Sequence, residues 1–242
     1  MPARLLSLTT ALLAASAGAQ SENLRTLTEP PHNMFVEFKL GPYKPLVDRE
    51  SGLTGQPYQE IFGGSSMLLF ELEFDAILWE KFGTLALGFS GGYASKSASA
   101  LIIGGPNAGQ PANDSTSLRV VPLRILGVYR LDYPVTQWNI PFVPYGKVGL
   151  VAEPWWASKG GSVENVNGAN GSGTKFGWCF VGGLALMLDF LEPRMAKDFT
   201  VDVGVAHSYI FAEYVYENVN TFGKRGLDLS SRHFMYGLSL EF

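Results

Sequence analysis

The feature that most constrains this chain is a period of two. From residue 34 onward, apolar side chains recur at every second position in segment after segment, opposite small or charged residues. Successive side chains of a β-strand point to opposite faces, so each such segment has one apolar and one polar face. In 34–41, Val36, Phe38 and Leu40 alternate with Glu37 and Lys39. In 66–78, Leu68, Phe70, Leu72, Phe74, Ala76 and Leu78 alternate with Glu71, Glu73 and Asp75. Segments 84–94, 117–131, 142–153, 176–190, 208–217 and 232–242 repeat the pattern. These make about eight strands, most of about 10 residues or more, a length that crosses a bilayer core when tilted by about 45°.

The connections alternate too. Residues 42–65, 95–116, 157–175 and 218–231 are long and rich in Gly, Ser and Asn, whereas 79–83 and 132–141 are short. Membrane barrels put short turns in the periplasm and long loops outside. The connection 191–207 departs from the rule, being long where a short turn is expected. There Glu192-Pro193-Arg194 is expected to start a helical turn, and part of 200–206 to extend the seventh strand. Pro122 and Pro144 fall inside strands, where proline donates no ladder bond, and bulges near the barrel rim are expected to absorb them.

A soluble lipocalin-like barrel would show the same alternation with its apolar face inward. The second face argues for the inverse. It carries Glu37, Glu71, Glu73, Asp75, Glu153, Asp189 and Glu213 together with Lys39, Arg124, Arg130 and Lys147. In a narrow lumen these can pair, whereas Lys or Arg on a lipid face costs about 2–4 kcal/mol at mid-depth. Aromatics near strand ends (Trp79, Phe82, Tyr93, Tyr129, Trp155, Trp156, Tyr216, Phe242) suit the membrane–water boundary. The last strand ends on Phe242, an ending similar to the recognition signal read by the barrel-assembly machinery, and such a strand closes the barrel and removes its free edge. The expectation is an all-β chain, an antiparallel up-and-down transmembrane β-barrel of about eight strands over 34–242, with both termini in the periplasm. A lumen of that size is just wide enough for side chains.

Residues 1–19 read as a secretory signal: Arg4, an apolar stretch from Leu5 to Ala15, then Ser16-Ala17-Gly18-Ala19 with its A-x-A exit. Residues 20–33, polar and containing Pro30-Pro31, read as a periplasmic lead-in. The implied destination is the bacterial outer membrane, with its lipids as partners.

Several stretches resemble an uncharacterised family of myxobacterial outer-membrane barrels. They are Phe38-Lys39-Leu40-Gly41-Pro42-Tyr43-Lys44-Pro45, the run from Val121-Pro122-Leu123 into Val128-Tyr129-Arg130, and Ile140-Pro141-Phe142-Val143-Pro144-Tyr145. Leu188-Asp189-Phe190-Leu191-Glu192-Pro193-Arg194, Gly226-Leu227-Asp228-Leu229-Ser230 and the ending Gly237-Leu238-Ser239-Leu240-Glu241-Phe242 complete the set. More loosely, the chain is similar to small barrels of the OmpA and OmpX type. The resemblance implies the barrel fold and an outer-membrane location, and it implies no activity.

Chemistry is sparse. The formal net charge is −4 with no basic block, which argues against nucleic-acid binding. The single cysteine, Cys179, allows no internal disulfide and no Cys-based zinc site. His207 and Ser208 are adjacent, so on a strand they point to opposite faces and do not form a nucleophile–base pair. His32 and His233 lie apart, no metal-ligand spacing occurs, and the glycines of 160–161 and 167–173 form no phosphate loop. No catalytic residue, cofactor or metal is expected. Glu71, Glu73 and Asp75 form a one-face acidic row: either a cation-favouring lining or divalent-ion site, or one side of a lumenal charge network with Arg124, Arg130, Lys147, Asp189 and Glu213. Asp48, Glu50 and Asp114 read as solvated loop charges, with divalent ions or lipopolysaccharide as the alternative. Three roles follow: a structural or surface-interaction barrel acting through its long loops, a narrow channel for ions or small solutes, and a lipid-modifying enzyme using Ser208. The sequence names no extracellular partner.

Overall fold

Each period-two segment becomes a strand, and every strand pairs antiparallel with its neighbours. The computed structural model describes residues 33–50, 55–101, 111–138, 140–160, 162–163, 165–166, 169–189, 203–223 and 226–242. The strands are β1 (Met34–Tyr43), β2 (Met67–Glu80), β3 (Thr84–Leu101), β4 (Pro111–Val120), β5 (Leu123–Arg130) and β6 (Phe142–Lys159). Short pieces β7 (Ser162–Val163), β8 (Asn165–Val166) and β9 (Ala169–Asn170) precede β10 (Ser172–Met187), β11 (His207–Asn218) and β12 (Ser231–Glu241). The expected signal at 1–19, nearly all of the lead-in 20–33, and the turn at Glu192-Pro193-Arg194 lie outside the described residues.

The ring runs β10-β11-β12-β1-β2-β3, then β4 and β5, then β6 back to β10. It has eight staves because β4 and β5 are one strand interrupted at Val121-Pro122. Ala94↔Val120 and Gly91↔Leu123 share one register toward β3, and Val120↔Trp155 and Leu123↔Ala152 share one toward β6. The expected bulge at Pro122 is therefore absent. Gly92 N–H still donates to Pro122 O at 2.9 Å, and Val121 N–H to Pro154 O at 2.9 Å. Only the return bonds are missing, because a proline has no N–H. Pro144 is accommodated similarly, accepting from Leu131 N–H at 2.9 Å. The irregularities in register fall elsewhere, at Ile77/Trp79 and at Ser99/Leu101. β1 and β12 close the ring from Phe35↔Glu241 to Leu40↔Tyr236, and Asn33 N–H adds a bond to Phe242 O at 2.7 Å. Closure satisfies the backbone groups that an open edge would leave bare in lipid.

The face question resolves in favour of lipid. Glu37, Glu73 and Asp75 are 0% exposed, whereas their apolar neighbours Phe38 and Phe74 are 52% and 43% exposed. Leu87, Phe89, Ile125, Leu150, Phe180 and Phe234 continue the outward apolar belt. The molecule is an all-β transmembrane barrel with its charges inside.

Two expected loops are shorter than the sequence suggested. β3 runs to Leu101 and β4 starts at Pro111, while β6 runs to Lys159 and β10 starts at Ser172. Past the bilayer neither face has to be apolar, so the hydropathy period disappears while the hydrogen-bond ladder continues. Ser95, Ser97 and Ser99 still face Arg119, Ser117 and Ser115. Conversely, β11 begins at His207, and among the described residues before it only Ala206 N–H, bonded to Glu241 O at 2.7 Å, prolongs its ladder.

The connection between β1 and β2 carries a 3-10 turn, Val47–Arg49, and helix α1, Pro57–Phe62. Asp48, read from sequence as a solvated charge, instead accepts from Tyr58 N–H at 2.7 Å and Gln59 N–H at 3.1 Å. It thus satisfies two first-turn donors that the helix itself cannot. Gly63 ends α1 with φ +65°, a conformation suited to glycine. Glu50 accepts from Gly226 N–H at 3.0 Å, joining this connection to the one between β11 and β12. A second helix, α2 (Tyr133–Trp138), lies between β5 and β6 at the terminus end.

Candidate functional site: the lumenal charge network

Two apolar clusters occupy the barrel interior. One fills the loop end with Tyr43, Val47, Tyr58, Met67, Val219 and Leu229, and runs down the β3–β5 wall through Ala86, Leu126 and Val128. The other lies toward the terminus end: Phe35, Val143, Tyr145, Ala185, Tyr209 and Phe211. The charged side chains are buried among them.

Strand parity and register create the problem that the network solves. Glu37 on β1 stands directly opposite Glu73 on β2, and Lys39 opposite Glu71. Like charges facing one another destabilise a strand pair. Two ammonium groups offset this. Lys39 Nζ lies 2.6 Å from Glu73 Oε2, 3.1 Å from Glu213 Oε1 and 3.2 Å from Glu37 Oε2. Lys147 Nζ lies 2.6 Å from Glu37 Oε2, bonds Glu73, and is 3.8 Å from Glu213 Oε2 and 4.0 Å from Asp75 Oδ2.

Two guanidinium groups extend the web. Arg124 bonds Glu71 and also donates from Nε to Glu217 Oε1 at 2.5 Å. Arg130 donates to Glu37 Oε1 at 3.2 Å, with its guanidinium carbon 4.3 Å from the Phe35 ring centroid and 4.9 Å from that of Tyr209. Hydroxyls complete the carboxylates. Tyr145 donates to Glu213 Oε2 at 3.0 Å, Ser231 to Glu217 Oε2 at 3.0 Å, and Tyr209 to Glu241 Oε2 at 2.8 Å.

Of the residues singled out from sequence, Glu71, Glu73, Asp75, Arg124, Arg130, Lys147 and Glu213 come together here. Asp189 does not. β10 ends at Met187, so Asp189 lies past the barrel wall, where His207 Nδ1 is 2.5 Å from its Oδ2. Its Oδ1 accepts from Ser208 N–H at 3.1 Å and Ser208 Oγ at 3.2 Å. Burial alone would raise the Asp189 carboxyl, but the bonds from His207 and Ser208 and the His207 charge outweigh it and hold it below its usual value. Adjacent on the strand, His207 and Ser208 both turn to Asp189. Glu217 and Glu241 belong to the lumenal set although the acidic row did not include them. The signal for Glu217 was its parity with Glu213 on β11.

Among the described residues, eight buried carboxyls face five buried Lys or Arg side chains. Glu37, Glu73 and Asp75 each present an oxygen within 4.8 Å of the others. Lys147 Nζ already touches the first two and lies 4.0 Å from the third, so this position holds a resident cation and does not suit a metal ion.

No family model matches the sequence, and no curated protein matches it. Solved structures do. The outer membrane protein OprG from Pseudomonas aeruginosa aligns over 87% of this chain and 96% of its own, with TM-score 0.52 and 13% identity. Ail, the attachment invasion locus protein of Yersinia pestis, crystallised with the heparin analogue sucrose octasulfate, covers 87% of this chain and 99% of its own, with TM-score 0.47 and 12% identity. Neisserial surface protein A covers 86% and 97%, with TM-score 0.47 and 14% identity. At these identities the likeness is one of fold, and the OprG alignment carries it: the chain has the fold of a small outer-membrane β-barrel.

Proposed function

We propose that this chain is an integral protein of the bacterial outer membrane whose barrel is sealed along its axis and whose partners are met at the loop end. The observation that carries this reading is the Lys147–Glu37 contact. β6 and β1 are four staves apart in either direction around the eight-membered ring, so the Lys147 and Glu37 side chains that meet at 2.6 Å together cross the full diameter. Apolar clusters lie toward either end of that layer, and among the described residues they and the charge network fill the lumen's cross-section in turn. The role is structural or surface-interacting rather than catalytic. In this reading residues 1–19 direct secretion, and the last strand ending at Phe242 is what the assembly machinery recognises.

The test is single-channel conductance of the refolded chain in a planar bilayer, with folding verified by heat-sensitive gel mobility. A silent bilayer is expected. Discrete, reproducible steps would overturn the sealed-barrel reading. The excess of buried carboxyls over buried cations favours a second reading, a narrow cation-selective path. It requires that Glu71→Gln, Glu73→Gln and Asp75→Asn together change ion selectivity.

A further inference from the structure

On the outer surface at the loop end of β12 and β1, Arg232 and Lys44 are exposed cations with no acidic partner within 4.0 Å among the described residues. Arg232 lies opposite Tyr216 in the β11–β12 register, and its guanidinium carbon sits 4.8 Å from the Tyr216 ring centroid. Trp178 packs on the same ring with centroids 5.5 Å apart, and on Phe180 at 5.2 Å. Lys44 follows β1 past Tyr43. The β1–β12 ladder ends at Leu40↔Tyr236, and the bond from Leu46 N–H to Ser230 O at 2.9 Å lies in the same register on the far side of the gap, which sets Lys44 opposite Arg232 between them.

Like charges on facing strand positions repel, and an anion seated between them turns that repulsion into attraction. The Tyr216 ring, packed against Trp178, carries the guanidinium, whose forked donors suit a phosphate. Next below, toward the bilayer, lie Tyr214 and Phe234 with ring centroids 5.0 Å apart, and further down the wall the exposed Leu40 and Phe38. A ligand matching both levels has a phosphate above and acyl chains beneath.

We propose that Arg232, Lys44 and Tyr216 bind the phosphate of an acylated lipid in the leaflet at the loop end. Given the outer-membrane reading above, on which this identification rests, the ligand is a phosphorylated glycolipid of the lipid A class. Arg232 takes two phosphate oxygens, Lys44 neutralises the third, and the aromatic belt accepts the chains.

The full chain in maltoside micelles is titrated with bis-phosphorylated lipid A, with lipid A stripped of its phosphates, and with inorganic phosphate alone, each read by native mass spectrometry. Wild-type protein is expected to retain the phosphorylated lipid. Lys44→Ala combined with Arg232→Ala should weaken that binding roughly tenfold or more. The stripped lipid should bind wild-type protein no better than the phosphorylated lipid binds the variant. Equal binding by wild type and variant, or of the two lipids, overturns the site. Full competition by inorganic phosphate overturns the lipid assignment in favour of a free anion. Should the double variant lose its heat-sensitive mobility, Tyr216→Leu, which keeps both charges and removes the ring under Arg232, must still weaken binding. Labelling of Ser66→Cys on intact cells tests separately whether the loop end faces outward. A negative labelling result rejects the outer-surface reading and leaves the micelle titration to decide the site.

Discussion

Lys147 and Glu37 together cross the whole width of the barrel, from β6 and from the diametrically opposite β1, and the Lys147 ammonium meets the Glu37 carboxylate at 2.6 Å. The same ammonium bonds Glu73, which faces Glu37 on the neighbouring strand. One side chain therefore bridges two carboxylates that would otherwise repel, and Lys39 supplies the second charge. Lys147→Met removes the charge while keeping most of the volume. It is expected to lower stability by about 3–5 kcal/mol, the usual consequence of stranding a buried counter-charge. Urea unfolding in lipid vesicles, followed by gel mobility, measures it. Adding Glu37→Gln to Lys147→Met should restore part of the loss. A midpoint unchanged by Lys147→Met would mean that the network contributes nothing to folding.

A glycine in the wall makes a second test of the packed lumen. A Cβ on Gly183 would sit 2.3 Å from Tyr145 Cζ, so the ring must move for any side chain there. Tyr145 also donates to Glu213, and movement breaks that bond. Gly183→Ala should therefore destabilise by about 1–3 kcal/mol through overpacking. Adding Tyr145→Phe should make the two losses less than additive, because the same hydroxyl contact is removed twice. Full additivity would show that Gly183 and Tyr145 do not interact.

How far the sequence foretells this architecture depends on where lipid imposes a pattern. In β2 the alternation of Leu68, Phe70, Leu72 and Phe74 with Glu71, Glu73 and Asp75 gives strand, face and lumenal charge at once, because lipid tolerates nothing else outside. Beyond the bilayer that pressure ends. The serines of β3 and β4 pair as regularly as the leucines below, yet carry no hydropathy period to reveal it. Partners across the lumen are the least legible. Parity puts Lys147, Glu37 and Glu73 inside, but only the eight-membered closure sets β6 opposite β1 and decides who meets whom. Asp189 shows the converse: parity continued past Met187, where the wall had already ended.

The Asp189 cluster makes a pH-dependent prediction. Its carboxyl is held below the ordinary value in the folded protein, so the stabilisation is present above the unfolded value, about 4. It is lost as pH falls through the lower folded value. The Ser208 amide, bonded to Asp189 Oδ1, should keep its hydrogen-exchange protection at pH 5 and lose it only in stronger acid. Asp189→Asn should abolish that acid dependence. Protection that already fails between pH 7 and pH 5 in the wild type would show that another group controls this end of the barrel.

Asp48 offers the most local test, since it acts on a helix outside the membrane. Its carboxylate accepts from Tyr58 and Gln59 N–H at the start of α1, and Tyr58, packed into the loop-end cluster, donates its hydroxyl to Ser65 O at 2.8 Å. Burial first, and the nearby Asp48 charge second, push the Tyr58 phenol up to about 12. Replacing Asp48 with Ala removes the cap, at a cost of about 0.5–2 kcal/mol to the helix. It removes the charge as well. Both changes move Tyr58 in the same direction, toward the ordinary phenol value of about 10. Asp48→Asn separates them, because an amide oxygen can still accept from a backbone N–H without carrying charge. Carbon-13 titration of the labelled tyrosine should then show a large fall for Asp48→Ala and a small one for Asp48→Asn. Equal falls would mean that the charge sets the Tyr58 value and that Asp48 does not hold α1 against the barrel mouth.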